Sequence, residues 1–508
     1  MCGVPRDHVN HKFNMSLKTL DLLVFGIYIL GVIAFGVSFS FRKRTAKDFT
    51  TGGGRLPSWA IGMSIFATFV SSISFLALPG NAFGGNWNSF VFSLSIPIAA
   101  WIAVIFFVPL YRRLNSESAH FYLEERFGTW ARIYASVFYL LTQLARMGAI
   151  LYLLALPMQI LFGWSIPVII ICTGLSVIIY SMFGGIEAVV WTDAIQGIVL
   201  IVGAIACLGV IFWTIPGGAS EVFSIAFEAD KFSLGSFDFD FSSSTFWMIL
   251  VYGLFINLQN FGVDQSYVQR YISSKTERDA VKSTWLGSML YIPVSFLFFL
   301  IGTSLWAFYQ VQPELLPTEI ASKADQVFPY FIVNQLPAGL TGLLIAGIFA
   351  AGMSTVSTSI NSSATVFLTD HFKKYIHPDP SEILSLRVLR LSSLVMGGLS
   401  ILVGVAFNGV ESALETWWAL ASIFSGGVLG LFLLGFIVQK TTSRQAAFAV
   451  LAGVLVIGWL SVPAILKLGG TEVSWSQPLH SNMTIVMGTL TIFVIGFVLS
   501  SLRKSDLK

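Results

Sequence analysis

The sequence predicts an all-α polytopic membrane protein with about thirteen transmembrane helices. Its 508 residues are 55% hydrophobic and only 11% charged, and the mean hydropathy is +0.79. A soluble domain carries about 25% charged residues, so this composition excludes a soluble globular protein. Apolar runs of about 20 residues also recur along nearly the whole chain, and each is long enough to cross a bilayer as a helix.

The predicted spans are separated by more polar connections. Their approximate ranges are 19–40, 58–83, 89–111, 131–162, 164–183, 189–215, 245–269, 281–309, 331–369, 388–408, 415–438, 446–466 and 482–502. The polar stretch before the first span contains no hydrophobic region of a signal peptide. We therefore expect the first span to remain in the protein as a membrane anchor.

The distribution of basic residues tests this number of spans. With thirteen spans, 22 of the 29 Lys and Arg residues, Arg270 among them, fall on one side of the membrane and six on the other. By the positive-inside rule, the side with 22 is the cytoplasm. An odd number of spans places the termini on opposite sides, so we expect residues 1–18 to be extracellular and residues 503–508 to be cytoplasmic. The membrane is predicted to be the plasma (inner) membrane.

Two of the predicted spans are interrupted by polar residues. The second contains the hydroxyl-rich stretch 67–74, which leads to Pro79, Gly80 and Asn81, and the seventh contains Asn257, Gln259 and their polar neighbours. Interrupted helices at matching places in two halves are typical of inverted-repeat transporters with a midplane site, although channels contain interrupted helices too. We predict two inverted five-helix repeats, at 57–215 and 245–440, with an extra first helix at 19–40 and two more helices at 445–502.

The stretch from Ala350 to Ser363 is rich in Ser and Thr, yet it lies within a long apolar span. On a helix, four of its residues share one face, with Thr355 beside them; they are Ala351, Ser354, Ser357 and Thr358. Oxygen ligands suit hard cations, so this face is a candidate sodium site. The alternative is that small hydroxyl residues allow close helix packing, with each hydroxyl bonded to its own helix.

Three charged residues near or within predicted spans require separate interpretations. Arg146 lies in mid-span, where an arginine costs at least about 2.5 kcal/mol. Its planar guanidinium suits a substrate carboxylate; the alternative is a buried ion pair or a clamp on backbone carbonyls. Asp193 opens the sixth span, where it satisfies the helix dipole or provides a second cation ligand beside Ser357 and Thr358. Asp264 is interpreted as a loop or helix-end contact.

The sequence is poor in residues for enzyme chemistry. It has no G-x-x-x-x-G-K-[ST] or H-E-x-x-H motif, and no Cys/His cluster with metal-ligand spacing. We therefore expect the protein to use neither ATP nor an organic cofactor, and to bind no nucleic acid. The expected partners are a small organic solute, sodium and membrane lipid, and transport would use an ion gradient or be passive. The classes of protein that compete with an ion-driven transporter are a passive channel, a membrane-bound solute sensor and an intramembrane enzyme.

Four motifs carry a resemblance to a known family. They are G-G-G-R-L-P-S-W-A-I-G-M-S-I-F-A-T from Gly52, G-G-I-E-A-V-V-W-T-D-A-I-Q-G from Gly184, Q-R-Y-I-S from Gln269, and the Ser/Thr run ending in Asn361 and Ser362. Together they resemble the sodium:solute symporter family, whose core has the inverted-repeat fold of the leucine transporter. The resemblance extends from the first span to about Arg444.

The resemblance implies where sodium would bind. One sodium in this family is held by two carbonyls of the first core helix and by a carbonyl and two hydroxyls of the eighth. The matching positions are Ala67, Val70, Ala351, Ser354 and Thr355. Some members hold a second sodium, for which the matching positions are Asp193, Ser354, Ser357 and Thr358. One or two sodium ions are therefore implied.

Within the family, the residues are most similar to bacterial sodium/sialic acid symporters, in which an arginine receives the carboxylate of the sugar acid. Arg146 matches that arginine, and Ser71 and Ser74 fit the polar pattern of the first core helix. Three positions depart from the family pattern: Phe69 replaces a threonine, while Ser89 and Ser93 replace an aromatic residue and a glutamine. Asn257 and Gln259 complete the predicted substrate-binding set.

The implied function is sodium-coupled import of sialic acid (N-acetylneuraminate), or of a related carboxylated sugar, by alternating access. The stretch 262–270 also resembles the vitamin and monocarboxylate branch of the family. A symporter for such an organic anion, or for a neutral sugar, is therefore the alternative.

Overall fold

The computed structural model describes residues 19–41, 45–114, 116–408, 413–468 and 478–502. These residues fold into helices joined by loops, and no strand occurs among them. The tails 1–18 and 503–508, whose sides of the membrane are predicted above, lie outside the described residues. The all-α prediction thus holds for the described part of the chain.

The first half of the chain begins with the predicted extra helix and then forms five predicted spans. Its helices are α1 (Thr19–Ser38), α2 (Ala46–Thr51), α3 (Ser58–Phe69), α4 (Ser72–Gly84), α5 (Val91–Leu94), α6 (Ile96–Ile102), α7 (Val108–Leu114), α8 (Phe121–Phe127), α9 (Thr129–Phe162) and α10 (Ile166–Thr214). A wider π-helical turn, Ala103–Phe107, makes α6 and α7 continuous.

The second half repeats the pattern of a broken helix followed by long ones. Its helices are α11 (Gly218–Glu228), α12 (Phe246–Val263), α13 (Gln265–Ser273), α14 (Glu277–Val311), α15 (Thr318–Ala321), α16 (Ala324–Gln335), α17 (Leu340–Val366), α18 (Glu382–Ala406), α19 (Ala413–Ile437), α20 (Ser443–Leu468) and α21 (Met483–Leu502). A π-helical segment, Phe367–Ile376, extends α17.

The described helices can be compared with the predicted number of spans. Ten are long and apolar enough to cross a membrane, or eleven if the bent pair Ser58–Phe69 and Ser74–Gly84 forms one span. The prediction of thirteen spans divides α10 into two and counts α19 as a further one. With 49 residues, α10 measures about 74 Å along its bent axis, more than twice the roughly 30 Å thickness of the hydrocarbon core. It is therefore long enough for two crossings.

The bend within α10 occurs at Gly185, between the two predicted spans. The φ angle of this glycine is 56° and its ψ angle is −163°, a region that is strained for residues with a Cβ atom. A Cβ atom there would also lie 2.9 Å from the Cα atom and the carbonyl oxygen of Phe49. The glycine thus permits both the bend and the close approach of α2.

The two predicted interruptions are breaks in the helical backbone. Val70 and Ser71 are extended between α3 and α4, and Asp264 is extended between α12 and α13. A helix break frees backbone carbonyls from their usual partners, which requires other donors or a cation in a membrane. The first break lies beside α17, and 94% of the residues in the most apolar stretch of that span are buried. The hydroxyls of α17 therefore face protein rather than lipid.

One basic residue of the positive-inside count is buried inside the protein and not exposed at its surface. Arg270 is counted on the predicted cytoplasmic side, and its side chain on α13 is fully buried and forms an ion pair with Asp193 at 2.9 Å. Without Arg270, 21 Lys and Arg residues remain on the predicted cytoplasmic side of the membrane and six on the other side.

A buried carboxylate on α1 joins this extra helix to the start of α17. Asp21 is 3% exposed, and its Oδ1 atom accepts the backbone N–H groups of Gly339 and Gly342 at 2.7 and 3.0 Å. These N–H groups belong to the first turn of α17, where no helical carbonyl is available to them. Asp21 therefore acts as an N-cap provided by a neighbouring helix.

We expect Asp21→Ala to destabilise the protein by about 1 to 2 kcal/mol, because it removes a capping carboxylate from a helix N-terminus. The measurement is the apparent melting temperature of the purified protein in detergent. Asp21→Asn is the matched control, since it keeps an oxygen acceptor without the charge and should lose less. An Asp21→Ala protein as stable as the wild type would show that this cap contributes nothing.

Candidate functional site

A cavity of about 290 Å³ lies between the two broken helices and α9. This volume is near the lower end of the range of ligand pockets, so it suits a small organic solute. Seven of the eight residues predicted to contact substrate line it; they are Phe69, Ser71, Ser74, Ser89, Ser93, Arg146 and Gln259. Residues predicted from separate parts of the sequence are thus brought together around one space.

The eighth predicted residue, Asn257, is placed differently. It is not among the residues that line the cavity, and its side chain is fully buried. Its Nδ2 atom donates to the Ser95 hydroxyl at 2.9 Å. Asn257 therefore joins α12 to the N-terminus of α6, on a different face of α12 from Gln259.

The other polar and aromatic residues of the cavity wall are not in the predicted substrate-binding set. They are Asn81, Phe92, Thr142, Tyr252, Asn260, Asp264, Tyr267, Tyr291, Trp417, Ser425 and Asn482. The polar run around the break in the seventh span pointed to Asn260 and Asp264. The aromatic residues gave no such signal, because aromatic residues occur throughout the apolar spans.

Phe69, which departs from the family pattern, is part of an aromatic cluster on the cavity wall. Its ring stacks on Phe261 with centroids 5.5 Å apart and meets Tyr291 edge-on at 4.5 Å. Such pairs contribute about 0.5–1.5 kcal/mol beyond the burial of their area. Phe69 therefore offers an apolar surface, fixed by its neighbours, where a threonine would offer a hydroxyl.

Arg146 is held by two groups, one from each broken helix. Its Nη2 atom donates to the Thr68 carbonyl at 3.3 Å, and its Nη1 atom lies 4.0 Å from the Oδ2 atom of Asp264. The side chain is 15% exposed and faces the cavity. A guanidinium has five N–H donors, so these two contacts leave donors for an anionic ligand.

Asp264 combines the predicted helix-end role with an unpredicted position in the cavity wall. Its Oδ1 atom accepts the N–H of Ser266 at 2.7 Å, which caps α13, as expected of a helix-end contact. Its Oδ2 atom accepts from the Gln143 amide at 3.3 Å and faces Arg146. The cavity thus contains a carboxylate as well as a guanidinium.

The residues matching the first sodium site lie together at the break between α3 and α4. The hydroxyl of Ser354 donates to the Ala67 carbonyl at 2.9 Å, so α17 touches the freed end of α3. Thr355 and Ser354 also donate to the Ala351 carbonyl, each at 3.2 Å. Val70, at the break itself, is fully buried. This group provides backbone and hydroxyl oxygens, which are the ligand type that hard cations prefer.

The residues matching the second sodium site are buried, but an arginine shares them. Asp193 accepts from the Ser64 hydroxyl at 2.6 Å and from Thr358 at 3.4 Å. Arg270 donates to the same oxygen of Asp193 at 2.9 Å and to Thr358 at 2.6 Å. Ser357 donates to the Ser354 carbonyl of its own helix at 3.0 Å.

In this structure, the positive charge of Arg270 therefore balances the negative charge of Asp193 at the predicted second sodium site. The guanidinium of Arg270 contacts two of the four predicted ligands. The Oδ1 atom of Asp193 is buried without a hydrogen-bond partner, so one carboxylate oxygen keeps its capacity to bind a cation. Sequence reasoning missed Arg270 here, because 77 residues separate it from Asp193.

Comparison with known proteins identifies the family to which these features correspond. The model of the sodium:solute symporter family matches residues 49–453. The sodium/sialic acid symporter NanT of Aliivibrio fischeri is 33% identical over 97% of this chain and 95% of its own length. SiaT of Proteus mirabilis, also a sodium/sialic acid symporter, is 34% identical over 86% of this chain and 88% of its own length.

More distant relatives and a solved structure complete the comparison. The sodium-dependent multivitamin transporter of Oryctolagus cuniculus is 28% identical over 93% of this chain and 76% of its own length. A solved structure of a Na⁺-coupled sialic acid symporter, substrate-bound and outward-open with a novel Na⁺ site, superposes with a TM-score of 0.86. It is 31% identical to this chain and covers 96% of it and 98% of the solved chain.

Proposed function

This chain belongs to the sodium:solute symporter family, and we propose that it imports N-acetylneuraminate or a related carboxylated sugar together with sodium. It is a transporter of the plasma membrane rather than an enzyme, its core has the leucine-transporter-type inverted-repeat fold, and sodium is its coupling cation. The substrate, the residues that bind it and the residues that bind sodium are our proposals.

The position of Arg146 carries the substrate proposal. Among the described residues of the cavity wall it is the basic one, and a buried guanidinium with free donors selects for a carboxylate. Ser71 and Ser74 lie on the α4 side of the same wall and offer hydroxyls to a polar ligand. In our proposal, Arg146 binds the carboxylate, while the serines and Gln259 contact the sugar hydroxyls.

The first sodium site is proposed at Ala67, Val70, Ala351, Ser354 and Thr355. The hydrogen bond from Ser354 to the Ala67 carbonyl already joins α17 to the break in the first core helix. A sodium ion at this site would be bound by oxygen atoms of both α17 and the break between α3 and α4. It would hold these elements together and so favour the outward-open form. Substrate binding would then be favoured as well, and by linkage the substrate would raise the affinity for sodium.

Release would follow the change to the inward-facing form. The low sodium concentration of the cytoplasm would favour loss of the ion from the first site. The break between α3 and α4 would then lose the cation that joins it to α17, and the substrate would leave. In this account, residues 1–18 are extracellular and residues 503–508 are cytoplasmic, as the basic residues indicate.

A second sodium is proposed at Asp193, Ser354, Ser357 and Thr358. Asp193 is a poor residue for a test, because its replacement would leave Arg270 buried without a countercharge. We expect Ser357→Ala to lower the Hill coefficient for sodium from about two towards one, because it removes a ligand of one of two linked sites. The measurement is sodium-dependent substrate binding.

Ser359→Ala is the matched control for this variant. Its hydroxyl is equally buried in α17, has no hydrogen-bond partner and belongs to neither proposed site. A Hill coefficient that Ser357→Ala leaves unchanged would remove the second site from the account.

The substrate proposal can be tested by thermal stabilisation of the purified protein with sialic acids, neutral sugars, short carboxylates and vitamins. A ligand that binds the folded form raises its apparent stability. We expect N-acetylneuraminate to stabilise the protein in sodium but not in potassium. Stabilisation by a monocarboxylate or a vitamin instead would favour the organic-anion alternative, to which the relatives of lower identity correspond.

A further inference from the structure

The two charged residues in the cavity wall oppose each other. Among the described residues that line the cavity, Arg146 is the basic one and Asp264 the acidic one. Their nearest atoms, Nη1 and Oδ2, are 4.0 Å apart. This distance is too long for a hydrogen bond but short enough for strong electrostatic interaction in a site largely shielded from water. The empty cavity is therefore close to electrically neutral.

Asp264 cannot easily leave this position when a ligand arrives. Its Oδ1 atom caps α13 through the N–H of Ser266 at 2.7 Å, and its Oδ2 atom accepts from Gln143 at 3.3 Å. The side chain is 9% exposed. A carboxylate held in this way would remain beside Arg146 while a substrate carboxylate binds the same guanidinium. Two anionic groups would then share one cationic group, which is unfavourable in a buried site.

The proposed first sodium site adjoins Arg146 and could hold a compensating cation. Arg146 donates to the Thr68 carbonyl, and Thr68 lies in the chain between Ala67 and Val70, whose carbonyls are proposed sodium ligands. Arg146 alone would repel sodium there, whereas Asp264 attracts it. The second pair of buried charges, Asp193 and Arg270, is itself balanced and does not offset this effect.

We propose that Asp264 enforces the binding order of this transporter, with sodium first and the anionic substrate second. By cancelling the charge of Arg146, it raises the affinity of the empty cavity for sodium and lowers its affinity for a lone carboxylate. The substrate carboxylate binds well only after sodium has added a positive charge. This inference rests on the proposed function, because it assumes an anionic substrate that binds at Arg146.

The test is the variant Asp264→Asn, which removes the charge but keeps a side-chain oxygen that caps helices as well as aspartate does. Two affinities are measured on purified full-length protein. One is the Kd of N-acetylneuraminate in sodium-free potassium buffer, determined by calorimetry. The other is the sodium concentration for half-maximal thermal stabilisation without substrate, determined at constant ionic strength.

We expect the two affinities to change in opposite directions. The Kd for N-acetylneuraminate in potassium should fall by about tenfold or more, and the half-maximal sodium concentration should rise by about threefold or more. Structural damage would weaken both affinities, so a gain in one and a loss in the other identifies a charge effect. Asp264→Ser, with another good capping residue, should behave in the same way.

Each other outcome has a defined meaning. If Asp264→Asn weakens substrate binding, Asp264 contacts the substrate directly and the inference is wrong. If neither affinity changes, Asp264 is a helix cap only and the inference is equally wrong. If wild-type protein does not bind N-acetylneuraminate in sodium, the proposed substrate fails, which is a separate result. Asp238→Asn removes an exposed loop carboxylate and should leave both affinities unchanged.

Discussion

Ser354→Ala is expected to raise the sodium concentration required for half-maximal substrate binding by at least about tenfold. Ser354 belongs to both proposed sodium sites, and its hydroxyl already reaches the Ala67 carbonyl at 2.9 Å. A polar contact to a charged partner contributes about 1.5–3 kcal/mol, and tenfold corresponds to 1.4 kcal/mol. The measurement is a sodium titration of N-acetylneuraminate binding at constant ionic strength.

Two control variants separate the loss of a ligand from damage to α17. Ser363→Ala removes a hydroxyl that is equally buried and has no hydrogen-bond partner, outside both proposed sites. Thr355→Ser keeps a hydroxyl at the first site. Both should keep a sodium dependence close to that of the wild type. If Ser354→Ala does so too, the hydroxyl face of α17 serves helix packing and the first sodium site is wrong.

Arg146→Ala is expected to weaken N-acetylneuraminate binding in sodium by about 100-fold or more. It removes the two-point contact with the carboxylate and also leaves the Asp264 carboxylate without its countercharge, which repels an anion. Arg146→Lys should recover only part of the affinity, because an ammonium group cannot reproduce the planar fork. The measurement is the Kd at saturating sodium.

The unpaired Asp264 is also a hazard for folding, because breaking a buried ion pair costs about 3–5 kcal/mol. The double variant Arg146→Ala/Asp264→Asn avoids it and should fold, yet still bind N-acetylneuraminate poorly. Binding of N-acetylneuraminate at wild-type strength by the double variant would show that Arg146 is structural. Equal binding of a neutral sugar by wild-type protein would then favour the sugar alternative.

The architecture was largely predictable because each of its determinants is local in sequence. Apolar runs fixed the spans, and the polar stretches around Val70 and Asp264 marked the two helix breaks. Arg146 could be predicted as a binding residue because a charged side chain in mid-span is costly and usually has a function. The hydroxyl face of α17 followed from helical periodicity alone, although its sodium-binding role came from the family resemblance.

The features of the site that the sequence did not reveal depend on contacts between residues that are far apart in the sequence. The pairing of Arg270 with Asp193 joins positions 77 residues apart, and a basic residue near the end of a span looks like part of a cytoplasmic loop. Asn257 and Gln259 are two positions apart on α12, so their side chains point to different faces, and only Gln259 lines the cavity. Sequence pattern alone did not indicate which of the two faces the cavity.

The most direct test of sodium-coupled import is uptake of radiolabelled N-acetylneuraminate into proteoliposomes containing the purified protein. An inward sodium gradient should drive accumulation above the external concentration, and replacing sodium by potassium on both sides should abolish it. A passive channel would only equilibrate the substrate, and a sensor or an enzyme would not accumulate it. Uptake that is the same with and without the sodium gradient would contradict the account.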